Sequence, residues 1–233
     1  ARAGVKPSRG LPPSSPFAGD DGSCSPELAA ALGEGDGGRT AAVVAALAHS
    51  RVLVPLVAHA EPGEAGERAT STAVVTVAGP DGRAVLPVFS SVEAMRRWDA
   101  AARPIPVEGP RAAVAALADG DGLLVLDPAG PVSVLVPRPA ASALALGRAW
   151  VPAPEDPAVT EAVVSALAGI GGLAHVSCAP GSRAELAVVL AVVPGLDRPA
   201  LDGLVSAVQG ALAAAEVVAE RVDSLELRIV RAS

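Results

Sequence analysis

The chain has 233 residues, of which 51% are hydrophobic and only 2% are aromatic, so its core must be built mainly from valine, leucine and alanine. The formal net charge of −7, without a clustered basic stripe or stacking aromatics, argues against nucleic-acid binding. Two cysteines are too few for a disulfide framework, and no apolar run reaches the ~18 residues that span a bilayer.

These properties lead us to expect a protein of the cytoplasm. The first 20 residues contain no apolar segment of the kind that a signal peptide needs. The small number of cysteines fits a reducing compartment. We expect no membrane partner and no nucleic-acid partner.

The first 24 residues are rich in proline, serine and glycine, and such a composition cannot form a core of its own. We interpret residues 1–24 as an extended arm. Phe17 is one of only two phenylalanines in the chain. Burying an aromatic ring away from water stabilises the folded protein. We therefore expect Phe17 to dock into an apolar groove, either on its own chain or on a neighbouring copy.

Residues 25–148 alternate short helices and short strands. Ser25 and Pro26 have the order of an N-cap and a first helical residue, and Gly33 marks the end of that helix. Thr40 is expected to cap a second helix. The other elements expected here, in chain order, are a strand over 51–58, a polar loop over 59–71, strands over 72–78 and 83–89, a strand near 105–107, a helix over 110–118, strands over 123–126 and 132–136, and a helix over 140–147.

The segment AVLPVFSSVEAMRRW, residues 84–98, joins a strand to a helix. It follows Gly-Pro-Asp-Gly, which is typical of a tight hairpin turn because Asp-Gly tolerates positive φ angles. Ser90 and Glu93 have the spacing of a capping box, in which each side chain accepts a hydrogen bond from the other residue's backbone N–H. We therefore predict that Ser90 caps a helix, which ends before Pro104.

Three prolines in nine residues predict a linker over 149–157. At its end, Asp156 is expected to cap a helix that has Pro157 as its first residue. The elements that follow are strands over 173–178 and 186–193, a helix over 198–222 and a final alternating strand over 225–231. This order predicts an αββαβ domain over 158–233. We therefore expect the α+β fold class, with two small mixed α/β domains.

Three segments of the first domain resemble the SseB family, whose name stands for enhanced serine sensitivity protein B. They are HSRVLVPLV, DGRAVLPVFSSVEAM and GLLVLDPAGPVSVLVPR, and the Pro-Val-Phe-Ser-Ser sequence after the Asp-Gly turn carries most of the likeness. The resemblance covers residues 40–138 and is to the actinobacterial branch. It implies an SseB N-terminal-like domain over 25–148. The family has no agreed set of active-site residues, so the resemblance implies no catalytic position.

Two glycine-rich motifs have the spacing of a ligand-binding loop, but the residues around each one do not fit such a loop. Gly33, Gly35 and Gly38 match the spacing of a dinucleotide-binding loop, but a helix rather than a strand precedes them. The sequence Asp-Gly-Asp-Gly over 119–122 lacks the later acidic ligands of a calcium loop. We interpret both motifs as turns.

The histidines and cysteines predict no metal site. His175 and Cys178 lie three residues apart on a predicted strand, so their side chains point to opposite faces and cannot share an ion. His49 and His59 lie near strand ends and have no partner within reach in the sequence.

The segment around Ser90 and Ser91 could present an exposed hydroxyl at the start of a helix, but the capping role already accounts for it. Arg96 and Arg97 could form a cationic recognition patch beside Trp98. We favour a solvated helix face for the two arginines and a core position for the tryptophan. We therefore assign no catalytic residue, no metal ligand and no cofactor.

The function that we expect is that of a non-catalytic binding or regulatory protein, linked to serine or amino-acid physiology through the family name alone. One alternative is a small enzyme whose site lies between the two domains, where pockets often form. Another is a structural module whose second domain dimerises. The partner is expected to be a protein or a small molecule, and a homodimer is compatible with the sequence.

Overall fold

The structure, a computed structural model, describes residues 17–57, 75–79 and 81–232. The predicted loop over 59–71 and residues 1–16 of the predicted arm lie outside the described residues. Within these limits, every helix is too short or too polar to cross a membrane.

The first part of the chain folds into two sheets that are flanked by helices. Its elements are α1 (Pro26–Leu32), α2 (Asp36–Leu47), β1 (Arg51–Leu56), β2 (Val77–Ala78), β3 (Ala84–Val88), α3 (Val92–Trp98), β4 (Arg103–Glu108), α4 (Gly109–Asp119), β5 (Leu123–Leu126), β6 (Val134–Val136) and α5 (Arg138–Ala145). β1 and β4 form an antiparallel pair. The other sheet has the order β2-β3-β5-β6, in which β3 and β5 are parallel. The expected hairpins β2-β3 and β5-β6 are confirmed.

Two hydrophobic clusters pack this part of the chain. The larger one joins α1, α2, α4 and α5 to the strands, and valine, leucine and alanine supply its buried side chains. The smaller one surrounds Phe89, which is fully buried and exchanges two backbone hydrogen bonds with Leu53. The ring of Trp98 lies 5.4 Å from that of Phe89, centroid to centroid. Trp98 therefore packs beside a core residue, as the sequence predicts.

The second part of the chain has the expected αββαβ order, except that two helices stand where the sequence predicts one. After a 3₁₀ turn (Ala153–Glu155) come α6 (Pro157–Leu167), β7 (Leu173–Pro180), β8 (Leu186–Val192), α7 (Arg198–Ala214), α8 (Glu216–Arg221) and β9 (Leu225–Arg231). β8 is the central strand, antiparallel to β7 and parallel to β9. The helices cover one face of this sheet and enclose a separate hydrophobic cluster. The α+β fold class is confirmed.

α2 begins five residues earlier than the sequence predicts, since its N-cap is Gly35 and not Thr40. Asp36 lies in its first turn, and Thr40 lies inside the helix. An acidic side chain in the first turn is favourable because it faces the positive end of the helix dipole. Asp36 also pairs with Arg39, whose Nε donates to the carbonyl of Leu32 and ties α2 to α1.

The predicted helix over 198–222 is interrupted at Ala215, which has an extended conformation. A straight helix of that length would be about 37 Å long, whereas a seven-residue strand such as β8 spans about 23 Å. The break returns the chain to the sheet, so that Val218 and Val222 are buried in the second cluster. The apolar spacing continues across the break, which is why the sequence pattern does not reveal it.

Candidate functional site

A crevice of about 420 Å³ lies between α5 of the first part and α8 of the second part. We call it the Trp150 crevice. Its volume lies within the range of about 300–1,000 Å³ that is usual for small-molecule sites. The polar or aromatic residues among the described ones that line it are Arg138, Ser142, Arg148, Trp150, Asp156, Glu220 and Arg221.

The end of α5 places Arg148 at the crevice. Gly147 has a φ of +63°, a left-handed conformation that favours glycine. The N–H of Gly147 donates to the carbonyl of Leu144, and the N–H of Arg148 donates to the carbonyl of Ala143 at 2.8 Å. This pair of bonds is the Schellman motif, which ends a helix in a fixed geometry. The backbone of Arg148 is therefore held in place.

Hydrogen bonds to the carboxylate of Asp223 hold the opposite wall of the crevice, at the end of α8, in place. Asp223 follows α8, and its side chain is only 3% exposed. Its carboxylate accepts two hydrogen bonds from the guanidinium of Arg83, at 2.9 and 2.8 Å, and a longer one from the backbone N–H of Arg138. Arg138 also donates from its side chain to the carbonyl of Ala219 at 2.8 Å. These bonds join the two parts of the chain beside the crevice.

The crevice carries a local excess of positive charge in a chain whose net charge is −7. Among the described residues, three arginines line it, against two carboxylates, Asp156 and Glu220. Arg221 is paired with Asp156 at 3.0 Å. Arg148 is exposed, and its guanidinium has no partner among the residues that the structure describes. A free guanidinium beside a cavity can bind a carboxylate or phosphate with two parallel hydrogen bonds.

The indole of Trp150 forms another wall of the crevice. Its ring packs against the larger hydrophobic cluster, and its Nε1 is buried without an acceptor in the described part of the chain. Buried donors of this kind are rare in folded proteins. Leu146 and Val151 also line the crevice and are 64% and 48% exposed. The crevice therefore combines a free cation with an apolar surface.

A second cavity, of about 480 Å³, lies on the other side of Trp150 and includes Glu185. Burial raises the pKa of Glu185 above its usual value. Its two carboxylate oxygens accept the backbone N–H groups of Ala153 and Asp223. These bonds tie the 3₁₀ turn to the start of β9. Glu185 therefore holds the backbone, which accounts for its buried position without chemistry.

The capping role predicted for Ser90 is wrong. The N-cap of α3 is Ser91, whose hydroxyl accepts the N–H of Ala94 at 3.1 Å. Glu93 pairs with Arg97 instead of completing a capping box. The capping pattern Ser-x-x-Glu fits Ser90, but the chain enters the helix one residue later.

Ser90 instead binds a buried carboxylate, that of Asp127. Its hydroxyl donates to Oδ2 at 2.6 Å, and its N–H donates to Oδ1 at 2.9 Å. Burial raises the pKa of Asp127, and its φ of +53° is unusual for a residue other than glycine. Capping patterns in the sequence do not predict this pair, whose members lie 37 residues apart. The sequence signal is that each residue follows a predicted strand, Ser90 after β3 and Asp127 after β5; the structure shows these strands to be parallel neighbours.

The remaining candidate residues from the sequence are separate from the crevice. Gly33 ends α1, and Asp121 accepts the N–H of Ala84 in a turn. His175 is exposed, whereas Cys178 packs against the second cluster. No group of three histidine, cysteine or acidic side chains suited to a metal occurs in the part of the chain that the structure describes. His59 lies outside that part.

The described end of the arm, residues 17–24, lies against the first part of the chain. Arg51 binds the carboxylate of Asp20 and donates to the carbonyl of Ser90 at 2.6 Å. The N–H of Val92 donates to the carbonyl of Gly22 at 2.9 Å. Phe17 is partly buried. Its docking into an apolar groove remains a prediction.

Comparison with known proteins places the matched part of the chain in a family. The family model described as SseB protein N-terminal domain matches residues 27–143, which is just over half of the chain. No curated protein and no solved structure matches the chain. The matched range includes Ser90, Asp127 and Arg138, and it ends before Arg148 and Trp150.

Proposed function

The chain belongs to the SseB family, and we propose that it is a non-catalytic protein that binds a small carboxylate in the Trp150 crevice. The observation that carries this proposal is the unpaired guanidinium of Arg148 at a crevice of about 420 Å³. A carboxylate would pair with Arg148, and the apolar part of the ligand would lie against Leu146 and Val151.

Two features of the crevice support binding rather than catalysis. Its lining contains no histidine, cysteine or lysine, and its hydroxyl group, on Ser142, has no base bound to it among the described residues. General acid–base and nucleophilic catalysis both need such a base within hydrogen-bond reach. Of the two carboxylates in the lining, Asp156 is already bound to Arg221 and to the N–H of Ala158, and Glu220 is exposed and bound to no hydroxyl or thiol among the described residues.

The ligand class follows from charge and size. The excess of arginine favours an anion, and the apolar wall favours an organic anion over inorganic phosphate. The link to amino acids comes from the family name, so L-serine is the first ligand to test. The regulatory role is a proposal that depends on this binding.

Calorimetric titration with L-serine, other amino acids and propanoate tests the proposal, with the matched amides as ligands that lack the carboxylate. We expect at least one carboxylate to bind and its amide not to bind. Arg148→Ala should weaken binding about ten- to a hundredfold, since a hydrogen bond to a charged group contributes about 1.5–3 kcal/mol.

Arg96→Ala is the matched control, because Arg96 is also exposed and without a partner among the described residues but lies on α3, outside the crevice. It should bind as the wild type does. The proposal fails if no carboxylate binds, or if Arg148→Ala binds with unchanged affinity. Chemical conversion of the bound ligand during long incubation would instead favour an enzyme.

A further inference from the structure

We infer that two copies of the chain pair through the free edge of β9, antiparallel about a two-fold axis, and so join their sheets into one. β9 hydrogen-bonds to β8 on one side, and no described strand pairs with its other side. A free strand edge is a template for pairing with another chain.

The direction of the backbone groups shows which residues would form the new bonds. The carbonyl of Ser224 accepts the N–H of Leu186, and the N–H of Ala232 donates to the carbonyl of Val192. Even-numbered residues from 224 to 232 therefore face β8. Because the backbone groups of consecutive strand residues point in opposite directions, Leu225, Leu227 and Ile229 direct theirs to the free edge.

The two edges of this sheet differ in their protection. β7, the opposite edge, has an irregularity between Leu173 and His175 and ends in Pro180, which has no N–H. Bulges and prolines are the devices by which proteins block edge pairing. β9 contains no proline, and its register with β8 is unbroken. β9 is thus the edge that is open to a partner.

Charge selects a second copy, in one register, as that partner. With the two-fold axis at Leu227, Glu226 lies opposite Arg228 of the second copy, and Leu225 lies opposite Ile229 of the second copy. Moving the axis one residue either way would place Glu226 against Glu226 or Arg228 against Arg228. Opposite charges across a strand pair stabilise it, and like charges destabilise it. Within each copy Arg228 already donates to Glu226 at 2.6 Å, so the pairing would bring two such ion pairs together with charges of alternating sign. The strand is therefore self-complementary.

An apolar groove beside β9 fits the same arrangement. It has a volume of about 250 Å³, and Leu212, Val218, Val222 and Leu225 contribute to its lining. Leu225 and Ile229 share the face of β9 on which Leu227 packs into the core, and they are 37% and 43% exposed. Opposite Leu225, Ile229 of the second copy would enter the groove. Pairing would then cover the exposed side chains of both copies.

Analytical ultracentrifugation of the full chain tests this inference. We expect a dimer at ~100 µM and, for Ile229→Lys, a dimer dissociation constant at least tenfold higher. Val230→Lys is the matched control, because Val230 is 45% exposed but lies on the other face of the same strand. It should remain dimeric. Circular dichroism confirms that each variant is folded.

A charge exchange gives an independent second test. Glu226→Arg and Arg228→Glu should each weaken the dimer at least tenfold, because each places like charges opposite one another, and the double variant should recover most of the loss. A wild-type chain that is monomeric at ~100 µM overturns the inference. A dimer that survives both Ile229→Lys and the single charge variants overturns it as well, since it must use another surface.

Discussion

Ser90 and Ser91 are adjacent in the chain and have different physical roles. Ser90 is buried and satisfies both oxygens of Asp127, whereas Ser91 caps α3 near the surface. The sequence predicts a serine cap at this helix but assigns it to the wrong residue. Capping patterns are local, and the partner of Ser90 lies 37 residues away in the chain. Local spacing could not reveal that contact.

We predict that Ser90→Ala destabilises the protein more than Ser91→Ala does. Loss of the Ser91 cap should cost about 0.5–2 kcal/mol. Ser90→Ala removes the hydroxyl donor from a buried carboxylate. A loss of this kind costs about 1–3 kcal/mol, and we expect a value near the upper end of these 1–3 kcal/mol. Denaturant unfolding of the two variants provides the comparison. Equal losses would mean that the contact with Asp127 contributes little.

Glu226 is predicted to make stability depend on pH. Hydrogen bonds from the backbone N–H of Ser182 and from Arg228 lower its pKa from 4.5 to about 2. The folded chain therefore holds a proton less tightly than the unfolded chain. The resulting stabilisation is fully present above pH 4.5 and is lost as the pH falls towards about 2.

The measurement for Glu226 is the difference in unfolding free energy between the wild type and Glu226→Gln across this range of pH. We expect the wild type to be more stable above pH 4.5 and the difference to shrink below it. A difference that does not change with pH would contradict the assignment.

At the scale of elements, most helices and strands follow from capping residues and apolar spacing. Asp156 caps α6 with Pro157 as its first residue, as predicted. The failures occur where distant packing decides. The break at Ala215 depends on the length of the sheet beneath the helix, and no residue between α7 and α8 signals it. The early start of α2 comes with a bond from Arg39 to the carbonyl of Leu32, seven residues away in the chain.

The junction of β4 and α4 is predicted to tolerate only glycine at position 109. A Cβ atom on Gly109 would lie 2.1 Å from the carbonyl oxygen of Leu47, which is backbone and cannot move away easily. Gly109→Ala should therefore destabilise the protein by about 1–3 kcal/mol.

Gly203→Ala is the matched control, because Gly203 is exposed within α7 and has open space around its Cβ position. It should stabilise the protein by about 0.5–1 kcal/mol, since alanine loses less entropy than glycine in a helix. Thermal unfolding of both variants measures these changes. A Gly109→Ala variant as stable as the wild type would mean that α4 is free to shift away from α2.

At the scale of the whole molecule, the sequence predicts the order of the elements in each part of the chain better than it predicts how the two parts meet. The sequence predicts a linker over 149–157, but residues of this segment take part in packing. Trp150 contacts the larger cluster, and Ala153 is buried in the second. The contacts of Arg83 and Arg138 with Asp223 join residues that lie 140 and 85 positions apart. The domain boundaries remain predictions.

We predict that Asp223→Ala uncouples the two parts of the chain. The variant leaves Arg83 without its buried acceptor, so calorimetry should show two separated unfolding transitions in place of one. Asp202→Ala is the control, because Asp202 forms an exposed pair with Arg198 on α7, at 3.9 Å, and such pairs contribute little. A single sharp transition in Asp223→Ala would show that other contacts couple the two parts.

The central claim is that the Trp150 crevice binds a small carboxylate. The chain has two tryptophans, so a ¹⁵N correlation spectrum contains two indole N–H resonances, which Trp98→Phe assigns. We predict that the chemical shift of the Trp150 indole changes with carboxylate concentration until it saturates, whereas that of Trp98 does not change. In Arg148→Ala, the same concentrations should leave the Trp150 shift unchanged. An unmoved Trp150 resonance for every carboxylate, or an identical titration in Arg148→Ala, would contradict the claim.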